Sequence, residues 1–274
     1  MQQKAGTGKR RGKMKVKEIR NILVEAAPES YALDWDNSGL ILGREEKEVQ
    51  KVLITVDVDD AAVETALEIK ADMILSHHPL LFRAVKRITD EAFIGRRILK
   101  LIQADVAYYA MHTNYDICRM GMLAAEKIGL EETGPLEETG EWLGVPCGIG
   151  VTGTLKEPES LLEFAARIRT RFGLEELRCF GADRPVKTVA VCPGSGESVV
   201  QEALLKGADV FLSGDIGHHT GIDADAQGRA VLDAGHYGLE YLFMEDMKQY
   251  LEDKTEGRIE VITMPKHLPY SVIL

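Results

Sequence analysis

Val52-Leu53-Ile54-Thr55-Val56-Asp57-Val58, then Ala61-Ala62-Val63-Glu64-Thr65-Ala66-Leu67-Glu68-Ile69-Lys70, then Asp72-Met73-Ile74-Leu75-Ser76 is the stretch that decides the fold. Two short apolar runs flank a segment of helical composition, the pattern of a strand, a crossover helix and a second, parallel strand. The alternation continues with a helical run over 94–103 and an apolar run over 106–112. A second set begins at Thr188-Val189-Ala190-Val191-Cys192 and proceeds through 198–207, Asp209-Val210-Phe211-Leu212-Ser213 and Ala230-Val231-Leu232-Asp233. Such alternation indicates an α/β architecture.

The two sets resemble each other. An offset of 137 lays Val52 on Val189, Glu64-Thr65-Ala66-Leu67 on Gln201-Glu202-Ala203-Leu204, and Leu75-Ser76 on Leu212-Ser213. In the same register His78 falls on Asp215. Further along, an offset of 124 lays His112 on His236 and Asp116 on Glu240, so each half carries a His-x3-carboxylate. The expectation is an α/β fold of two pseudo-symmetric halves with mixed, mainly parallel sheets, over 14–133 and 134–274, with a metal site between them. Residues 1–13, basic and Gly-rich, read as a disordered tail. Their GTGKRRGK lacks the spacing of a phosphate loop and has no strand before it.

Composition narrows the functional classes. The 274 residues carry 33 Lys plus Arg against 44 Asp plus Glu, a formal charge of −11 that disfavours nucleic acid and anionic membranes as partners. No apolar run is long enough to span a bilayer, and a cytoplasmic location is expected. The four cysteines are scattered without a Cys-x-x-Cys pair and read as reduced thiols.

Chemistry concentrates in the histidines. His77 and His78 follow the apolar run 73–75, at the carboxyl end of a buried strand, where open α/β sheets place their sites. Adjacent residues of extended chain point opposite ways, so the pair can serve two ions or, in isolation, act as one capping and one solvated side chain. His236 and Glu240, at i and i+4, share a helix face, and His112 and Asp116 have the same spacing. Imidazole with carboxylate is a donor set for Zn, Mn, Fe, Co or Ni. Asp215 and His219, after the second-half strand, read either as supporting or proton-transfer groups or as a helix cap and a solvated side chain. His218 and His267 have no partner at matching spacing and read as surface residues. Gly148-x-Gly150-x-x-Gly153 fits a dinucleotide fingerprint in letters only, because the next helix is delayed. The Pro193-Gly194-Ser195-Gly196-Glu197 turn serves either as a plain strand-to-helix turn or as an anion cradle.

Five ordered motifs complete the picture: Trp35-Asp36-Asn37-Ser38-Gly39-Leu40, Ser76-His77-His78-Pro79-Leu80, His112-Thr113-Asn114-Tyr115-Asp116, Ser213-Gly214-Asp215 and Asp233-Ala234-Gly235-His236-x3-Glu240. From about Met14 onward the chain resembles the Nif-three-like family, the GTP cyclohydrolase I type 2 homologues. The resemblance implies a dinuclear centre of two divalent ions on His77, His78, Asp116, His236 and Glu240, with Glu240 bridging, in a toroidal homohexamer. The family's name points to hydrolysis of GTP or a related nucleotide or heterocycle, and for a metal-dependent hydrolysis Asp215, His219 and His112 are the candidate proton carriers. The alternative is a non-catalytic protein that handles metal ions or docks a partner. Ser38 stands where the family usually has Val, and Val151 where it usually has Arg, which puts shared substrate contacts in doubt.

Overall fold

The computed structural model describes residues 12–271 and Ile273. It divides into two compact units, one of residues up to His112 with Met244–Pro265, the other of Thr113–Phe243 with Lys266 onward. The division therefore falls at 112/113 rather than at 133/134, and the chain returns to its first unit near the end. The physical reason is strand pairing: Glu260–Thr263 runs parallel to Lys51–Thr55 and completes the first sheet from outside. Most of the basic tail lies outside the described residues. Its last two positions are tied down, with the Gly12 N–H donating to the Arg258 carbonyl at 2.9 Å and Lys13 paired with Glu48 at 2.6 Å.

The first unit holds a five-stranded sheet in the order Glu260–Thr263, Lys51–Thr55, Met73–Ser76, Ala107–Ala110, Gly39–Leu42, parallel except for the last pair. Two of its three inner strands, Met73–Ser76 and Ala107–Ala110, are buried at every position, which is why they read as apolar runs rather than alternating ones. Helix Asp60–Glu68 begins where the Asp59 carboxylate accepts the Ala62 N–H at 2.8 Å. With helix Phe93–Gln103 it closes a core of Leu53, Val63, Ile74, Ile98, Leu101 and Tyr108.

The second unit holds a six-stranded sheet ordered Glu131–Trp142, Val145–Ser160, Pro185–Ser195, Val210–Gly214, Ala230–Asp233, Arg178–Phe180. Only its central three strands are mutually parallel. That triplet repeats the parallel triplet of the first unit. Val52 pairs with Met73, and Val189 with Val210, so both strands are displaced by the same 137 positions (189 less 52, 210 less 73). The third strand is displaced by 123, because Ala107 and Ala230 are the equivalent partners (230 less 107). The offset of 124 that superposed His112 on His236 is thus one residue away from the strand register. The Gly-x-Gly-x-x-Gly run lies inside strand Val145–Ser160, where a Cβ on Gly148 would stand 1.9 Å from the Glu137 carbonyl oxygen. These glycines permit hairpin packing and sit within a strand rather than between a strand and a helix.

Candidate metal centre

In the first unit, parallel pairing continues past the end of strand Met73–Ser76. The backbone N–H groups of His77 and His78 donate to the carbonyls of Thr55 and Val56 at 3.2 and 2.9 Å. Ser76 Oγ donates to the His78 carbonyl at 2.6 Å, and the Tyr108 hydroxyl, 2.8 Å from Ser76 Oγ, accepts the Leu80 N–H at 2.7 Å. Burial pushes the Tyr108 phenol far above its ordinary range, so it stays protonated and fixes this turn as a neutral group.

The imidazoles are then set by what holds their Nδ1 atoms. His77 Nδ1 lies 2.9 Å from the Met111 carbonyl, His78 Nδ1 2.8 Å from Asp57 Oδ1, and His112 Nδ1 2.7 Å from Asp36 Oδ1. Each partner is an acceptor, so each Nδ1 donates, and Nε2 is the ring nitrogen on the side away from that bond. One ring nitrogen from each of His77, His78 and His112 lies within 4.8 Å of the others. Ser38 joins the same network, donating to Asp36 Oδ2 at 2.9 Å and accepting the His112 N–H at 3.2 Å. A valine there would offer neither bond.

The second unit builds a donor group of its own. The buried Asp233 carboxylate accepts the Ile216 and Gly235 N–H groups at 3.0 and 2.9 Å and pairs with Arg178, fixing the turn into His236. His236 Nδ1 lies 2.7 Å from Asp215 Oδ2, and its Nε2 lies 3.3 Å from Glu240 Oε1 across one helical turn. Asp215 reaches this position with a left-handed φ of 56°, a conformation that costs energy for a residue with a side chain. Glu240 is buried, and Gly194, at φ +76°, faces it: a Cβ there would stand 2.3 Å from Glu240 Oε1 and 3.7 Å from His236 Nε2. The Pro193–Glu197 turn thus packs against a carboxylate of the chain itself.

Asp116 opens the π-helical turn Asp116–Met120 and lines a cavity of about 570 Å³ with Arg119, Met122, Trp142, Cys147 and Val151. Cys192 is buried in the same unit as Asp116 and Glu240. Burial first, then the charges of Asp116 and Glu240, push that thiol well above its ordinary value. His219 is exposed on helix His218–Ala226 with its ring 5.3 Å from that of His218, outside the Asp215–His236–Glu240 group; His267 is exposed as well. Sequence reasoning missed Asp36 and Asp57 as holders of imidazoles and Gly194 as the wall behind Glu240. Asp57 stands in the opening stretch itself, but a lone aspartate after an apolar run carries no signal of which side chain it meets.

The first group consists of imidazole nitrogens, each ring held at Nδ1 by an acceptor, the second adds the Glu240 carboxylate to an imidazole, and Gly194 leaves room against Glu240 and His236. This donor chemistry suits a divalent transition metal. Fold and site together define an α/β protein with two internally related units, each presenting donors of the kind that hold divalent cations. The chain belongs to the DUF34/NIF3 (NGG1p interacting factor 3) family, whose profile matches residues 14–269. It is 34% identical over 238 residues to a GTP cyclohydrolase 1 type 2 homolog of Streptococcus pneumoniae, covering 83% of this chain and 88% of the relative. It is 31% identical over 252 residues to a protein of the same name from Clostridium perfringens, covering 91% and 95%. The fold is similar to that of a Bacillus cereus protein related to NIF3, with a TM-score of 0.89 at 24% identity over 96% of this chain and 100% of that one.

Proposed function

We propose that the chain is a divalent-metal-dependent hydrolase acting on a nucleotide or related heterocycle, its two ions held by His77, His78, Asp116, His236 and Glu240. The observation that carries this reading is the convergence of one ring nitrogen from each of His77, His78 and His112 within 4.8 Å, with each imidazole held at Nδ1 by an acceptor. The names of the curated relatives support the substrate class. A bound pair of ions supplies Lewis acidity and a water whose pKa falls toward 7.

The chain's own residues do the rest. Asp57 and Asp36 orient His78 and His112 through their Nδ1 atoms, and Asp215 does the same for His236. His112 sits within ligand distance of His77 and His78, so it either joins the ligands or holds a proton beside them. Asp215, half-exposed, is the better placed of the two remaining proton carriers, because His219 lies apart from the donor group.

Elemental analysis of purified protein, paired with a hydrolysis screen against nucleotides, tests the reading. Glu240→Ala is expected to remove most of both metals, since a bridging carboxylate serves two ions, whereas Asp116→Ala removes mainly one. Activity should disappear on chelation and return with metal. Two ions retained in Glu240→Ala overturn the bridging role. Metal bound without hydrolysis of any nucleotide favours a protein that handles metal ions.

A further inference from the structure

Two large aromatic side chains stand exposed beside the three imidazoles of the first unit. Trp35 is 62% exposed and Phe82 53%. Both rings abut the same imidazole: Trp35 lies 5.8 Å from His112 at an interplanar angle of 76°, and Phe82 lies 5.6 Å from it at 88°. Phe82 also lies 6.3 Å from the ring of His78. Neither aromatic is held there by chance flexibility of the main chain. Trp35 directly precedes Asp36, whose carboxylate binds His112 and Ser38, and Asn37 Nδ2 donates to the Leu81 carbonyl at 2.7 Å, tying the Trp35 segment to the residue before Phe82.

Phe82 opens an exposed segment, Phe82-Arg83-Ala84-Val85-Lys86-Arg87. Among the described residues Arg83, Lys86 and Arg87 form no ion pair. The contrast with the helix that follows is informative, because there Arg97 pairs with Asp60 and Lys100 with Glu64. In a chain of net charge −11, three uncompensated cations within five residues form an isolated positive patch. Exposed aromatic faces and adjacent cations match a ligand with a planar ring at one end and phosphates at the other.

We propose that Trp35 and Phe82 stack on the base of a nucleotide, and that Arg83, Lys86 and Arg87 hold its phosphates, delivering the ring to the His77–His78–His112 group. This rests on the nucleotide-hydrolase reading above and names the residues that select its substrate. The competing place for a base is the cavity beside Asp116, and the chain supplies a reporter for each, since its two tryptophans are Trp35 at the imidazoles and Trp142 on the cavity wall.

The experiment titrates GTP, guanosine and ribose 5-phosphate into full-length Trp142→Phe and Trp35→Phe, reading tryptophan fluorescence, with metal content measured on the same samples. In Trp142→Phe, GTP should quench Trp35 saturably, guanosine should do so about tenfold more weakly, and ribose 5-phosphate should not. Adding Phe82→Ala should weaken GTP and guanosine alike by about five- to tenfold, as expected for loss of one stacking face. Replacing Arg83, Lys86 and Arg87 by Ala should weaken GTP only and flatten its salt dependence. Quenching of Trp142 but not Trp35 places the base in the cavity and overturns the proposal, as does quenching unchanged by Phe82→Ala. A Trp35 emission that is blue-shifted and insensitive to every ligand in the intact assembly also overturns it, because another copy then covers the aromatics. Metal bound without quenching refutes this inference alone, whereas quenching without bound metal refutes the metal reading and leaves the recognition surface standing.

Discussion

At Gly194 two separate requirements meet in one residue. Its φ of +76° lies where a side chain is strained, and its missing Cβ makes room for the Glu240 carboxylate. Gly207 shares the first property, with φ +81°, but has nothing within 4 Å of the Cβ position. Gly194→Ala and Gly207→Ala should therefore both lose about 1 kcal/mol of stability from the backbone alone. Only Gly194→Ala should also lose bound metal, because it displaces Glu240. Denaturant melts in chelator and elemental analysis of untreated protein separate the two effects; equal metal content in both variants would refute the assignment of Gly194 as the wall of the site. This residue is also a measure of what a sequence conceals. His77, His78, His236 and Glu240 were legible because apolar runs and i, i+4 spacing announce them. Gly194, Asp36 and Asp57 act through contacts with residues 46, 76 and 21 positions away, and no local pattern encodes those meetings.

Among the elements, helix Val16–Ala26 is joined to the first sheet by a charged network. Arg20 donates from Nε and Nη2 to the two Glu29 oxygens at 2.9 Å each, and the Tyr109 hydroxyl donates to Glu29 Oε1 at 2.8 Å. The Arg20 hydrogen bonds hold the Glu29 carboxyl below its ordinary 4.5, helped by Tyr109 and opposed by burial. A carboxylate depressed in the folded state contributes stability that is complete above its unfolded pKa and is lost as pH falls through the folded value. Glu29→Gln should thus cost about 1 kcal/mol at pH 7, allowing for partial exposure of the pair. The difference should shrink toward zero below pH 4. Denaturant melts at both pH values in chelator decide it, and a constant difference at the two would contradict the linkage. Elements differ in how plainly they are written. The inner parallel strands are mostly apolar and were readable, whereas strand Glu131–Trp142 (EETGPLEETGEW) is mostly exposed, and its pairing with Val145–Ser160 comes from the hairpin rather than from any apolar alternation.

For the whole molecule, the sequence disclosed a duplicated α/β plan but misplaced its boundary, because the return of Met244–Pro265 to the first unit depends on a pairing between strands some two hundred residues apart. Among the described residues no helix is long and apolar enough to cross a membrane. The family resemblance carries the expectation of a homohexamer, and sedimentation velocity should give a single species at six times the 30.3 kDa chain mass. A monomer at micromolar concentration would refute it.

The late return of the chain has a consequence for biosynthesis. Glu260–Thr263 is the outer neighbour of Lys51–Thr55, so while a ribosome is still making the last segment, that apolar strand stands at the rim of an unfinished sheet. The second unit's central triplet, by contrast, is complete once residue 233 has emerged. The sheet begun first is therefore the sheet finished last. A nascent chain stalled shortly before residue 260 exposes a bare strand edge, the surface on which neighbouring chains pair and aggregate, and on which a ribosome-associated chaperone would have most to protect.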